Sequence, residues 1–148
     1  MDPTIRSATR EDCAQLTELM HASSAYRGDY AAILHGYAVT PAQVEADLVF
    51  VAEQDGRILG FYSLRGVPAA PELDLLFVRD EAQGRRLGAR LLDHLRGQAR
   101  ALGIARIAIV AHPPAEAFYL RMGAERVGTR PPTGRVSWSR PLLSLPVG

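Results

Sequence analysis

The chain has 148 residues, 47% of them hydrophobic and 22% charged, which suits one globular domain spanning 1–148. A net charge of +1 gives no basis for nucleic acid as the main partner, no apolar run reaches the ~18 residues of a membrane span, and the first residues lack the basic-then-apolar pattern of a secretory leader. A single cysteine, Cys13, excludes an intrachain disulfide and fits a reducing, cytoplasmic setting; its place near a helix start reads as buried filler.

Residues 4–8 read as a first strand. Thr9 and Asp12 form a capping-box-like pair that opens a helix, with Ala14, Leu16, Leu19 and Met20 at helical spacing. Residues 23–40 carry Gly28, Gly36, Tyr26, Tyr30 and Tyr37 and read as a loop with a broken helix. Thr40 as cap and Pro41 at the first helical position start a helix that ends near Asp47. Strands follow at 48–53 and 58–64, joined by an Asp55-Gly56 hairpin turn. After a Pro/Ala loop at 67–71 comes an apolar strand at 73–78.

A helix over 85–102 shows the apolar line Leu87, Leu91, Leu95 and Leu102, with Leu92 and Ala99 beside it. Arg90, Arg96 and Arg100 lie on its outer face, and Gly103 is its C-cap. Residues 106–111 form a buried-type strand. A short helix runs from Pro113 or Pro114 to Met122 and is capped by Gly123. Strands at 125–127 and 135–143 flank a Pro/Gly turn, and the second carries Trp138 as core or pocket wall. A three-strand meander followed by a strand-helix-strand crossover makes the class mixed α/β.

The stretch Gln83-Gly84-Arg85-Arg86-Leu87-Gly88-Ala89 joins a strand to an amphipathic helix. A small-residue loop there leaves main-chain N–H groups pointing outward, and the helix N-terminus adds partial positive charge. Together they make a seat for a phosphate or pyrophosphate. Arg85, Arg86 and Arg90 can assist.

This stretch resembles the acetyl-coenzyme A loop of the GNAT (Gcn5-related) N-acetyltransferases, whose pattern is Gln or Arg, two residues, Gly, any residue, then Gly or Ala. Gln83 and Gly88 fit; Arg86 stands where the first Gly is usual. A second motif agrees: Ala115, Phe118, Tyr119 and Gly123 match the family's late Asn-x-x-Ala-x-x-Phe/Leu-Tyr-x-x-x-Gly pattern, with His112 in place of the Asn.

The resemblance implies a central, mostly antiparallel sheet splayed between its fourth and fifth strands, here 73–78 and 106–111, and flanked by helices. It implies acetyl-CoA as co-substrate, with the pyrophosphate held by main-chain N–H groups of 83–89 and the pantetheine arm paired with Leu76, Phe77 and Val78 as a pseudo-strand. Ala115 and Phe118 pack the helix or flank that arm. Tyr119 resembles the family's general acid for the departing thiolate.

Amide formation needs a neutral amine, and an alkylamine has a pKa of about 10.4, so a base is required. Period-two spacing puts Glu72, Asp74, Leu76 and Val78 on one strand face. Either Glu72 or Asp74 can serve as base, directly or through water, or attract a cationic acceptor. His21, His35, His94 and His112 show no metal-ligand spacing, so no metal is expected, and His94 is placed on the helix surface.

The expected activity is direct acetyl transfer to a primary amine on a small molecule or peptide, without a covalent acyl-enzyme, in a chain compatible with a homodimer. The acceptor pocket is expected from residues 20–40 and 130–140. Two other readings stand beside it: an acyl-CoA-binding or sensing module without transfer, and a nucleotide-using enzyme, against which the missing Lys-Ser/Thr of a P-loop argues.

Overall fold

In the computed structural model, which describes residues 2–26, 28–134 and 136–148, local chemistry sets most element starts. β1 (Thr4–Ser7) leads into a turn where the Thr9 N–H donates to Asp12 Oδ2 at 2.8 Å. The same carboxylate takes both guanidinium nitrogens of Arg6, at 2.8 and 3.1 Å, so one residue caps the helix and ties it to β1. Helix α1 (Cys13–His21) buries Cys13, Leu16, Leu19 and Met20. Ala14, expected on that face, is exposed; the burial stripe begins one residue earlier, at Cys13.

Short 3-10 turns at Ser24–Tyr26 and Gly28–Leu34 fill the segment read as a broken helix. Thr40 accepts from the Gln43 N–H and starts α2 (Pro41–Ala46). β2 (Leu48–Gln54) and β3 (Arg57–Arg65) are joined at Asp55 (φ 53) and Gly56 (φ 78), the two positive angles a tight hairpin demands. β4 (Glu72–Val78) follows, then α3 (Leu87–Ala101), β5 (Arg106–Val110), α4 (Glu116–Arg121), β6 (Glu125–Arg130) and β7 (Arg140–Pro146).

The seven strands form one sheet in the order β1-β2-β3-β4-β5-β7-β6. Every pairing is antiparallel except β4 with β5. Helix α1 packs one face with Val49, Val51, Phe61, Leu75 and Phe77. Helix α3 packs the other through Leu87, Leu91, Leu92, Leu95 and Ala99. Each fully buried leucine there contributes roughly 1.5–3 kcal/mol.

Several expectations are corrected by partners distant in sequence. Leu102 is 48% exposed, because α3 ends at Ala101 and the chain turns away before that side chain reaches the core. Arg96 is half-buried and donates to the Met122 carbonyl that ends α4. His94 sits against Phe50 and bonds the buried Tyr62 hydroxyl at 2.8 Å. The last strand starts five residues later and ends three later than expected, and position 135, its expected start, lies outside the described residues. Trp138 therefore precedes β7 rather than lying on it. No helix among the described residues is long and apolar enough to cross a membrane.

Candidate active site

The sheet opens where β4 and β5 part. They pair at one position only, Glu72 with Ala108, next to a bond from the Ala108 N–H to the Pro71 carbonyl. Beyond it β5 is paired along its length by β7 on its far edge. Pro113 and Pro114 then turn the chain aside and can add no ladder bond, since proline lacks an N–H. The β4 edge from 73 to 78 is left facing a cleft of about 330 Å³, closed on the other side by Val110, Ala115, Phe118 and Tyr119. Leu76, Phe77 and Val78 all line it, and so does Gln83.

A register shift marks the same strand. Leu75 pairs with Ser63 and Leu73 with Leu64, so Asp74 is an extra residue with no opposite number on β3. Bulges of this kind re-aim one side chain and often lie beside active sites.

At the far end of the cleft, β4 passes through a 3-10 turn into the loop before α3. Gly84 has φ 83 and Arg86 φ 59, both left-handed. The first backbone bond into α3 runs from the Arg90 N–H to the Arg86 carbonyl. Among the described residues no close main-chain hydrogen bond is donated by the N–H groups of 84–89, so the loop Gly84, Arg85, Arg86, Leu87, Gly88 and Ala89 holds main-chain donors open to a ligand. Gln83 differs from expectation. Its N–H closes the turn onto Asp80, and its side-chain amide donates to the Val78 carbonyl at 3.1 Å. It shapes the loop end rather than lending a main-chain donor.

Gly88 fits closely beneath α4, where a Cβ would stand 3.4 Å from the Phe118 ring. The cations divide. Arg86 lines the hollow outside the loop, Arg85 reaches Gln54, and Arg90 bonds the Pro3 carbonyl, away from the seat. Arg121 lines both cleft and hollow and was missed by the sequence reading. Its spacing of three from Phe118 on α4 was the available signal.

Arg86 occupies a conformation that a β-carbon disfavours by roughly 1–2 kcal/mol. Replacing it by glycine is expected to raise unfolding stability by about 1 kcal/mol, read by urea denaturation. A loss of stability would mean that the side chain holds the loop by contacts that outweigh this strain.

Tyr119 is buried in the wall of the cleft, and among the described residues its hydroxyl has no hydrogen-bond partner. Burial pushes its pKa above the usual phenol range, with Tyr26 adding to the effect, so it stays protonated and able to donate.

Glu72 accepts from Arg65 at 3.0 Å. Asp74 lies 3.4 Å from the same guanidinium and 3.3 Å from the Gln43 amide. Burial raises the Asp74 pKa, against the lowering effect of Arg65. The two carboxylates are not equivalent. Asp74 lines the cleft and also a second pocket next to it, whereas Glu72 lines the second and not the cleft.

That second pocket lies between the 3-10 turns, β4 and the outer strands. Tyr26, Tyr37, Arg65, Asp74, His112, Arg130 and Arg140 line it. Its roof is pinned by His112, whose Nε2 donates to the Ala25 carbonyl at 2.6 Å while the ring stacks on Tyr26 at 3.9 Å. Burial lowers the His112 pKa, which keeps the ring neutral at neutral pH, and the carbonyl partner fixes the proton on Nε2. His112 thus fastens a segment 87 residues away while also lining the cleft. Tyr30 stands edge-on to both His112 and Trp138, extending the aromatic wall.

Comparison with known proteins agrees with this architecture. The family model for the acetyltransferase (GNAT) domain matches residues 45–123. A 5-NmdU N-acetyltransferase of Pseudomonas phage PaMx11 is 38% identical over 77 residues, covering 51% of this chain and 55% of that protein. The match thus spans about half the length of that curated relative. Among solved structures, a Gcn5-related N-acetyltransferase from Rhodopseudomonas palustris superposes with a TM-score of 0.79 at 22% identity, covering 99% of this chain and 96% of that one. PaiA N-acetyltransferase from Thermoplasma acidophilum, solved with coenzyme A, gives 0.74 at 18% identity and covers 99% of each chain.

Proposed function

Because the chain belongs to the GNAT acetyltransferase family, we propose that it moves an acetyl group from acetyl-CoA directly onto a primary amine. One observation carries this reading. The unpaired edge of β4 runs from Asp74 toward a loop whose residues, with open main-chain N–H groups, line a hollow outside the fold. An extended amide-bearing arm needs the first feature and a diphosphate the second. Acetyl-CoA has both groups, and when bound it supplies an activated thioester.

The chain's own residues then divide the work. The N–H groups of 84–89 hold phosphate oxygens, each charge-assisted bond contributing on the order of 1.5–3 kcal/mol. Leu76 and the Val78 N–H offer main-chain partners to the arm, Phe77 between them lines the cleft while its main chain pairs with β3, and Ala115 and Phe118 lie opposite. Asp74, shared by both pockets, takes the proton that the amine must lose. The Tyr119 hydroxyl gives a proton to the sulfur as the carbon–sulfur bond breaks.

Cys13 is buried in the α1 core, and burial raises its thiol pKa, which supports transfer without an acyl-enzyme. A free buried thiol also suits a reducing cytoplasmic setting. Calorimetry with acetyl-CoA and a thiol-release assay over a panel of amines test the proposal together. Binding with amine-dependent thiol release is expected. Binding without release for any amine would make the chain an acyl-CoA-binding module, and no binding at millimolar ligand would remove the proposal.

A further inference from the structure

The acceptor pocket holds more positive charge than its carboxylates balance. Arg65, Arg130 and Arg140 line it against Glu72 and Asp74, and Arg65 is bonded to both carboxylates. Arg130 and Arg140 have no acidic partner among the described residues. They are also direct cross-strand partners, the last pair of the β6–β7 ladder.

Like charges at such a position repel, because directly opposite side chains stand close together. The neighbouring arginines avoid this: Arg106 meets Glu125 at 3.4 Å and Arg126 meets Glu116 at 3.2 Å. The Arg140 Nε is in addition buried with no acceptor. Two unneutralised guanidiniums paired across neighbouring strands, both on the wall of a pocket, are the arrangement that an anion completes.

We propose that Arg130 and Arg140 form an anion clamp in the acceptor pocket, so that the amine accepted carries a carboxylate or phosphate group on the same molecule. The inference rests on the acetyl-transfer reading for its amine end, where Asp74 lies on the β4 wall of the same pocket. Opposite walls would then sort the two ends of the acceptor: amine toward Asp74, anion toward the arginine pair.

The test measures thiol release with matched acceptors: amino acids against their carboxamides, and aminoalkyl phosphates against the corresponding amino alcohols. The charged member of at least one series is expected to show about 10-fold higher kcat/KM, and the series that does so identifies the anion. Arg130→Gln and Arg140→Gln should each collapse that preference toward one, with Arg140→Lys restoring part of it.

Equal kcat/KM within both series, with thiol release otherwise active, would overturn the clamp and leave the transfer reading standing. A preference that survives both substitutions would also overturn it. A second measurement needs no turnover. With coenzyme A saturating, so that the loop before α3 is filled, inorganic phosphate should raise the Tm of the protein and fail to raise that of Arg140→Gln. Identical shifts in the two proteins would sink the clamp. In the absence of phosphate the same variant should melt no lower than the parent, because it removes a repulsion; a lower Tm would mean that the arginine pair serves the fold, and would overturn the clamp.

Discussion

Tyr119→Phe is expected to reduce turnover by about 10²–10⁴-fold while leaving coenzyme A affinity nearly unchanged. The substitution removes one oxygen and keeps the ring. Tyr119 is only 7% exposed, and its ring packs edge-on against Phe118 at 5.3 Å, so the apolar wall of the cleft survives. No protein group among the described residues bonds the lost hydroxyl, so no partner is orphaned and stability should hold. What disappears is the proton donor for the departing sulfur. Steady-state kinetics beside calorimetry separate these effects. Equal losses in turnover and affinity would instead assign Tyr119 to cofactor packing, and unchanged turnover would take it out of the chemistry.

Asp74→Asn should lower kcat by a similar factor, about 10²-fold or more, and should also change the pH profile. Burial raises the Asp74 pKa, so the parent should gain rate as pH rises through a value higher than that of a solvent-exposed aspartate. The variant should lose that limb of the profile. Stability should move the other way. A carboxyl whose folded pKa exceeds its unfolded pKa favours the folded state fully below the unfolded value, and that support is lost as pH rises through the folded value. At neutral pH the ionised Asp74 therefore weakens the fold. Asp74→Asn should be as stable as the parent or more so there, with the difference closing in acid below both pKa values. A large fall in stability at neutral pH would show instead that Asp74 serves mainly to hold Arg65 and Gln43. Glu72→Gln is the companion measurement. Glu72 lines the acceptor pocket and not the cleft, so its loss should change acceptor KM more than kcat, and a kcat fall equal to that of Asp74→Asn would move the base to Glu72.

The candidate site divides along a similar line between what residues announce locally and what they do in the fold. The loop at 83–89 was readable because its donors are main-chain groups, present whatever the side chain, and because Gly84 and Gly88 mark where the backbone must bend or pack closely. Tyr119, Ala115 and Phe118 were singled out through the resemblance of 112–123 to the family's late motif. The choice between Glu72 and Asp74 was not, since alternation places both on one face and only the bulge and the meeting of two pockets distinguish them. Arg121 and the His112 pin were likewise hidden, as each matters through surfaces contributed by other elements.

By itself the sequence determined where several elements begin and where most of their apolar faces lie. The Thr9–Asp12 cap, the Thr40-Pro41 start, the Asp55-Gly56 turn and the leucine spacing of α3 each act over a few residues, so neighbours in the chain suffice to specify them. The tertiary structure alone decided that Leu102 faces water, that Arg96 and His94 are tied inward, that His112 grips Ala25, and that Arg130 meets Arg140. Those outcomes hang on contacts between residues that lie far apart along the chain or in different elements, where burial and charge are set by sheet order and register. Local pattern carries no record of which strand becomes the neighbour, and it is the neighbour that fixes whether a guanidinium is neutralised or left open.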